Sequence, residues 1–296
     1  MRIDIEFDAE DGTTLRGWLY TPDDGVAPHP TVVMAHGFSA VKEQTLDALA
    51  EVLAAHGLAS VVYDHRNLGA SDGTPRQDID PVAQVRDMRT AITFAETRAE
   101  VDPARIGIFG SSYSGAHVLA VAATDQRVRC VVSQVPLING FANIARLTTA
   151  DGFLGLLDTL DAERRARFEG ADPVTIPVCS NDPEVPAAFP GEFTYDYFHH
   201  YIDAAPNWVN ACTVRSLDLA LAYDVTGYME RIAPTPLLMI VTSVDTTTPT
   251  DLALAAFDRA HEPKRIMVVE GQHYDVYVKQ FDQTSRAAAE WFAGHL

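Results

Sequence analysis

Apolar and polar positions alternate at the start of the chain. Ile3, Ile5 and Phe7 are separated by charged residues, Asp11-Gly12 marks a turn, and Leu15, Trp18 and Tyr20 resume the alternation, which predicts a β-hairpin ending before Pro22. The period then changes. Residues 31–35 (TVVMA) form a short uninterrupted apolar run that opens at His36-Gly37, and the stretch from Gln44 to His56 has helical spacing and stops at Gly57. The unit recurs in 58–65 (LASVVYDH), a Gly- and Asp-rich loop and a long amphipathic helix from Val82 to Ala99. A third unit follows: a strand at 105–110, a turn SSYSG, a helix of small residues from Ala116 to Ala123, and a strand at 128–136. Buried strands alternating with helices predict an α/β fold, a mostly parallel sheet flanked by helices.

From about Leu137 to Ile232 the alternation lapses into helix-like pieces around Pro173, Pro177, Pro183, Pro186 and Pro190. It returns with a strand at 236–245, a helix from Pro249 to Ala260, a strand at 264–271 and a closing helix from Phe281 to Phe292. The expected organisation is therefore one core, residues 1–136 and 232–296, interrupted after its sixth strand by a helical cap at 137–231.

Composition narrows the functions. The chain has 296 residues, 47% hydrophobic and 21% charged, enough for a sizeable core and unlike a disordered chain. Lys plus Arg total 22 against 41 Asp plus Glu, and a net charge of −19 opposes contact with nucleic acid or an anionic membrane. Cys130, Cys179 and Cys212 form no CxxC pair, so neither a disulfide framework nor a zinc ribbon is signalled. No stretch approaches the roughly 18 apolar residues of a membrane span, and Arg2, Asp4 and Glu6 stand where a signal peptide would be apolar. A soluble, cytoplasmic protein is expected. GxGxxG after a strand, GxxxxGK[ST] and HExxH are absent, leaving nucleotide and zinc chemistry without support, and neither a cofactor nor a metal is expected.

The chemistry concentrates at strand ends. Gly-Ser-Ser-Tyr-Ser-Gly at 110–115 lies between a buried strand and a small-residue helix, the context of a nucleophile elbow, which makes Ser112 the candidate nucleophile. Such a strained turn needs tiny neighbours; Gly110 meets the demand, and Ser114 stands where a second glycine is usual. Asp245 and His273 each follow a late strand, in the order nucleophile, acid, base, at the sheet edge where open α/β folds place their sites. His273 would relay the proton of Ser112, and Asp245 would hold the imidazole tautomer. The backbone amides of Phe38 and Tyr113 are the candidate oxyanion donors, while His36 reads as a packing and hydrogen-bonding residue of its loop.

The runs HGFSAVKE (36–43), YDHRNLGASDG (63–73), GSSYSG (110–115), VDTTTP (244–249) and GQHYDVY (271–277) resemble the α/β-hydrolase superfamily. Within it the likeness is to the esterase and dienelactone-hydrolase-like group, which also includes fungal polyketide acyl transferases and distant X-Pro peptidase relatives. The resemblance covers about 1–136 and 232–296 and implies a Ser112, Asp245, His273 triad with an oxyanion hole from Phe38 and Tyr113. Ser114, and Asn67 where a glycine is common after Asp-x-Arg, depart from the pattern. A dehalogenase or epoxide hydrolase of this fold would need an aspartate at position 112, and no propeller domain of the prolyl oligopeptidases fits the chain.

Aromatics crowd residues 191–210 of the cap, and Tyr195, Phe198 and Trp208 are expected on the wall of an acyl pocket. His199 and His200 lack a metal-type partner, and Arg146, Arg164, Arg165, Arg167 and Arg215 are expected in ion pairs or solvated faces. The resulting expectation is a serine hydrolase that cleaves an ester, thioester or lactone of a moderately apolar acyl group. An acyltransferase or a carbon–carbon bond hydrolase would use the same triad, and a ligand-binding receptor on this scaffold is the alternative from another class. The partner expected is a small-molecule acyl substrate; an exposed apolar cap surface could pair two subunits.

Overall fold

A computed structural model describes residues 1–296. Its centre is an eight-stranded sheet. The opening hairpin, β1 (Arg2–Asp8) and β2 (Thr14–Tyr20), pairs antiparallel and joins the sheet through β4 (Ala59–Tyr63), also antiparallel. All remaining pairs are parallel: β3 (His29–Ala35) lies between β4 and β5 (Val101–Ser111), and β6 (Val128–Gln134), β7 (Leu237–Thr242) and β8 (Lys264–Val269) follow in that order. This is the mostly parallel α/β sheet that the apolar runs predict. Val32, Val33, Val61, Val62, Ile108, Val131 and Ile240 are fully buried because helices cover both sheet faces.

The helices begin where local chemistry permits. Asp80 caps α2 (Pro81–Glu96) by accepting the amides of Val82 and Ala83 at 3.0 and 3.1 Å, and Pro81 fills the first position, where no amide partner is needed. The helix α1 (Leu46–Ala55) fills the β3 to β4 crossover. The helix α3 (Tyr113–Ala122) starts three residues before the predicted Ala116, because the turn at Ser112 feeds directly into it and SSYSG contributes no separate loop.

Between β6 and β7 the chain leaves the sheet for about a hundred residues and forms α4 (Gly140–Arg146), α5 (Ala150–Phe168), α6 (Glu192–His200) and α7 (Val214–Leu221). The expectation of a helical cap is incomplete. The proline-rich stretch cannot sustain helices, and it forms two-residue strands at Thr175–Ile176, Cys179–Ser180 and Phe189–Pro190, the first paired with Cys212–Thr213. Val178, Tyr197, Phe198 and Trp208 from this segment belong to the same buried cluster as Val33, Ile108 and Val131 of the sheet, so the insertion packs directly onto the sheet's own core. The fold closes with α8 (Thr250–Arg259) and α9 (Phe281–His295).

Candidate active site

Ser112 sits at φ 57°, ψ −114°, a conformation that side-chain-bearing residues rarely adopt. The surroundings hold it there. Its amide donates to the Gln134 carbonyl at 2.8 Å, its carbonyl accepts from Leu137 at 3.1 Å, and helix α3 begins at the next residue. Close approach explains Gly110: a Cβ there would lie 2.0 Å from the Ser114 carbonyl oxygen. Ser114 itself is fully buried, and its hydroxyl finds a partner in His65 Nε2 at 2.8 Å, so the departure from glycine is accommodated by a hydrogen bond. The other departure has a backbone reason, since Asn67 adopts φ 67°, a left-handed conformation that asparagine tolerates better than most residues.

The three residues singled out in the sequence meet. Ser112 Oγ lies 3.1 Å from His273 Nε2, and His273 Nδ1 lies 2.8 Å from Asp245 Oδ2, which places the ring proton on Nδ1 and leaves Nε2 as acceptor. Asp245 and His273 are both buried. Burial by itself would raise the Asp245 pKa, but the charge and hydrogen bond of His273, with the amide and hydroxyl of Thr248, outweigh it and hold the carboxyl below its usual value. Asp245 Oδ1 accepts the amides of Thr247 and Thr248 at 2.8 and 2.7 Å. It thus orders the loop ahead of α8, whereas the cap position of that helix is Pro249.

Thr248 is a member of the site that the sequence reading did not single out. Its hydroxyl lies 3.0 Å from Asp245 Oδ2, from His273 Nδ1 and from the Val135 carbonyl, which fixes the acid and the base to the end of β6. Its place in VDTTTP, three residues past the acid, was the available signal. Ser111 was likewise passed over; its hydroxyl is held by Tyr277 at 2.6 Å and Gln134 at 3.1 Å.

The loop after β3 passes over the nucleophile. A Cβ on Gly37 would lie 3.0 Å from that of Ser112, and the amides of Phe38 and Tyr113 donate to no acceptor of the chain. Tyr113 is the first residue of α3, so its free amide carries the positive end of the helix dipole. Beneath the loop, Lys42 is buried with its ammonium 2.8 Å from Asp64 and 2.9 Å from Glu43. Burial alone would lower its pKa, but Asp64 and then Glu43 raise it, and the lysine stays charged. Asp64 also accepts the amides of Lys42 and Ala70, tying the loops after β3 and β4 together. His36 has the packing role expected of it: it is buried, and Nε2 accepts the His65 amide at 3.3 Å.

Of the three cap aromatics expected on the pocket wall, Phe198 is there. Tyr195 is not: it stacks on His199 at 3.6 Å between ring centroids, one helical turn away on the same face of α6. Trp208 stands behind the wall, stacked on Phe198 at 4.8 Å. The wall is instead completed by Phe189, Tyr197, Tyr274 and Tyr277. Tyr274 and Tyr277 were missed, and their place just after the base in GQHYDVY was the available signal; Phe189, inside the proline-rich stretch, carried no signal. Arg146, Arg164 and Arg167 pair with Asp251, Asp218 and Glu163, and Arg215 with Asp78, which uses these four guanidinium groups away from the triad. No group of His, Cys, Asp and Glu side chains could hold a metal ion, and no helix is long and apolar enough to cross a membrane.

Comparison with known proteins agrees with this geometry. The X-Pro dipeptidyl-peptidase (S15) family matches residues 11–275. A thiohydrolase of Eupenicillium brefeldianum is 34% identical over 93% of this chain and 88% of its own. A polyketide transferase of Aspergillus fumigatus is 33% identical over 93% and 91%. The crystal structure of the α/β hydrolase GrgF from Penicillium sp. sh18 superposes with a TM-score of 0.85 at 27% identity, covering 100% of this chain and 99% of that one.

Proposed function

The chain belongs to the X-Pro dipeptidyl-peptidase (S15) family and is an α/β hydrolase, and from that premise we propose that it cleaves or transfers an apolar acyl group held as an ester or thioester, through an acyl-enzyme on Ser112. The observation that carries the acyl reading is the lining of the slot around Ser112. A dipeptidyl-peptidase substrate bears a free ammonium, which requires a carboxylate counter-charge when it is buried. The slot is walled by Phe38, Phe189, Tyr197, Phe198, Tyr274 and Tyr277 and lined by no carboxylate, and Asp245 is already committed to His273. Such walls suit an apolar acyl group.

In the first step Ser112 Oγ bonds to the acyl carbon as its proton passes to His273 Nε2, with Asp245 stabilising the imidazolium. The carbonyl oxygen becomes an oxyanion received by the amides of Phe38 and Tyr113, each such donor contributing about 3–4 kcal/mol. The bond from carbon to the leaving oxygen or sulfur then breaks, and the imidazolium returns its proton to the leaving group. Water or a second alcohol, deprotonated by His273, releases the acyl group. Transfer to an alcohol is the second reading, supported by the relative named polyketide transferase.

The test compares p-nitrophenyl esters, S-acyl N-acetylcysteamine thioesters and Ala-Pro p-nitroanilide, with Ser112→Ala as the control. Turnover of the first two, lost in the variant and absent on the anilide, is expected; faster cleavage of the anilide would overturn the acyl reading. Product analysis with an added alcohol separates hydrolysis from transfer.

A further inference from the structure

The slot at Ser112 has a volume of only about 30 Å³, little more than one water, so an acyl group of any length must extend elsewhere. A second cavity, of about 380 Å³, lies between the insertion and the core residues Phe38 and Tyr113. Phe38 and Phe189 line both cavities, and their rings meet edge to face at 5.4 Å, so this pair is the partition between the two. On its far side the larger cavity is apolar, with Ile144, Leu147, Leu156 and Leu217 on its walls and no ionisable carboxylate or basic side chain. A volume of 380 Å³ accommodates roughly a dozen non-hydrogen atoms at about 30 Å³ each, the share of a water in the liquid.

Helix α5 supplies one wall with positions 152, 155, 156 and 159, the i, i+3, i+4, i+7 face of a helix. In the middle of that face is Gly155. Glycine is a poor helix former, and no backbone need explains it here: a Cβ at 155 would meet nothing within 4 Å. Its effect is to leave space on the cavity side of α5. We propose that the acyl chain lies in this cavity and reaches Ser112 past the Phe38–Phe189 pair, a long chain taking up the space that the absence of a side chain at Gly155 leaves open. The inference deepens the acyl-enzyme reading and rests on it for the identity of the ligand, but the cavity can be tested without turnover.

Calorimetry on Ser112→Ala, with acetyl, hexanoyl and decanoyl N-acetylcysteamine thioesters as probes, reads chain-length dependence directly. Affinity is expected to rise about two- to fourfold per added methylene up to decanoyl. Gly155→Leu in the same background fills the space of about four non-hydrogen atoms and is expected to lower the decanoyl-to-acetyl affinity ratio at least tenfold. Thr159→Leu, one turn along the same face, is expected to act in the same direction and carries the test if Gly155→Leu melts early. Affinity independent of chain length, or a decanoyl-to-acetyl ratio unchanged in the folded variants, would overturn the proposal. Turnover of the same thioesters by the unmodified chain tests the acyl-enzyme reading separately, since a cavity that binds decanoyl without turnover would leave the chamber standing and remove the chemistry.

Discussion

Replacing Asp245 by Asn removes one charge and keeps the volume of the side chain. The carboxylate lies 2.8 Å from His273 Nδ1, buried, with two backbone amides on its other oxygen, so its charge acts on the imidazolium of the transition state at short range. At an effective dielectric constant of about 20, two unit charges about 4 Å apart interact by about 4 kcal/mol, close to a thousandfold in rate. An amide can also donate to Nδ1 and force the proton onto Nε2, where it blocks the acceptor for Ser112; both effects together are worth on the order of 10⁴ in kcat in serine proteases. Stopped-flow release of p-nitrophenol gives the burst and steady rates for both proteins. The account predicts a fall of about 10³–10⁴ in kcat with KM changed far less, because residue 245 lines neither cavity. A loss below tenfold would refute the reasoning, since Thr248 would then be positioning the imidazole without the charge.

Asp245 also fixes a direction for acid stability. Its folded pKa lies below the unfolded value, so its contribution is complete above about pH 4 and is lost as pH falls through the folded value; urea midpoints for native and Asp245→Asn should converge there. His65 and His117 act at higher pH: burial holds His117 down to about 3 and His65 well below its usual value. Stability should therefore fall as pH drops below about 6.5, by up to about 1.4 kcal/mol per pH unit for each histidine, and His117→Phe should flatten the slope in a urea titration. Lys42→Met leaves Asp64 buried without its cation and should destabilise by about 3–5 kcal/mol by denaturant melting. Gly37→Ala places a methyl group against Ser112 and should lower kcat at least tenfold with little change in melting temperature; an unchanged kcat would mean that the loop yields freely.

The sheet was legible because its strands are short apolar runs between loops rich in Gly and Asp, and the register of chemistry to strand ends followed from it. Ser112, Asp245 and His273 could be picked out because each sits at a strand's carboxyl end in a fixed chain order. The proline-rich stretch around 173–190 resisted reading, since prolines exclude helix without specifying which two-residue strand pairs with which. The same limit applies to the cap aromatics. Tyr195 and Tyr197 are two residues apart on α6 and therefore point to different sides, and only the packing of that helix against Tyr274 and Tyr277 decides that Tyr197 faces the triad. Thr248 escaped notice because a threonine in a TTTP run reads as turn chemistry, and its contact with His273 spans 25 residues of sequence.

The central claim is a covalent acyl group on Ser112. Rapid quenching of the native chain with a p-nitrophenyl ester during the burst, followed by intact-mass and peptide mass spectrometry, reads it directly. The account predicts one acyl adduct per chain, on the peptide containing Ser112, formed at the burst rate and absent in Ser112→Ala. Steady turnover with no adduct at Ser112, or with an adduct at another residue, would contradict it.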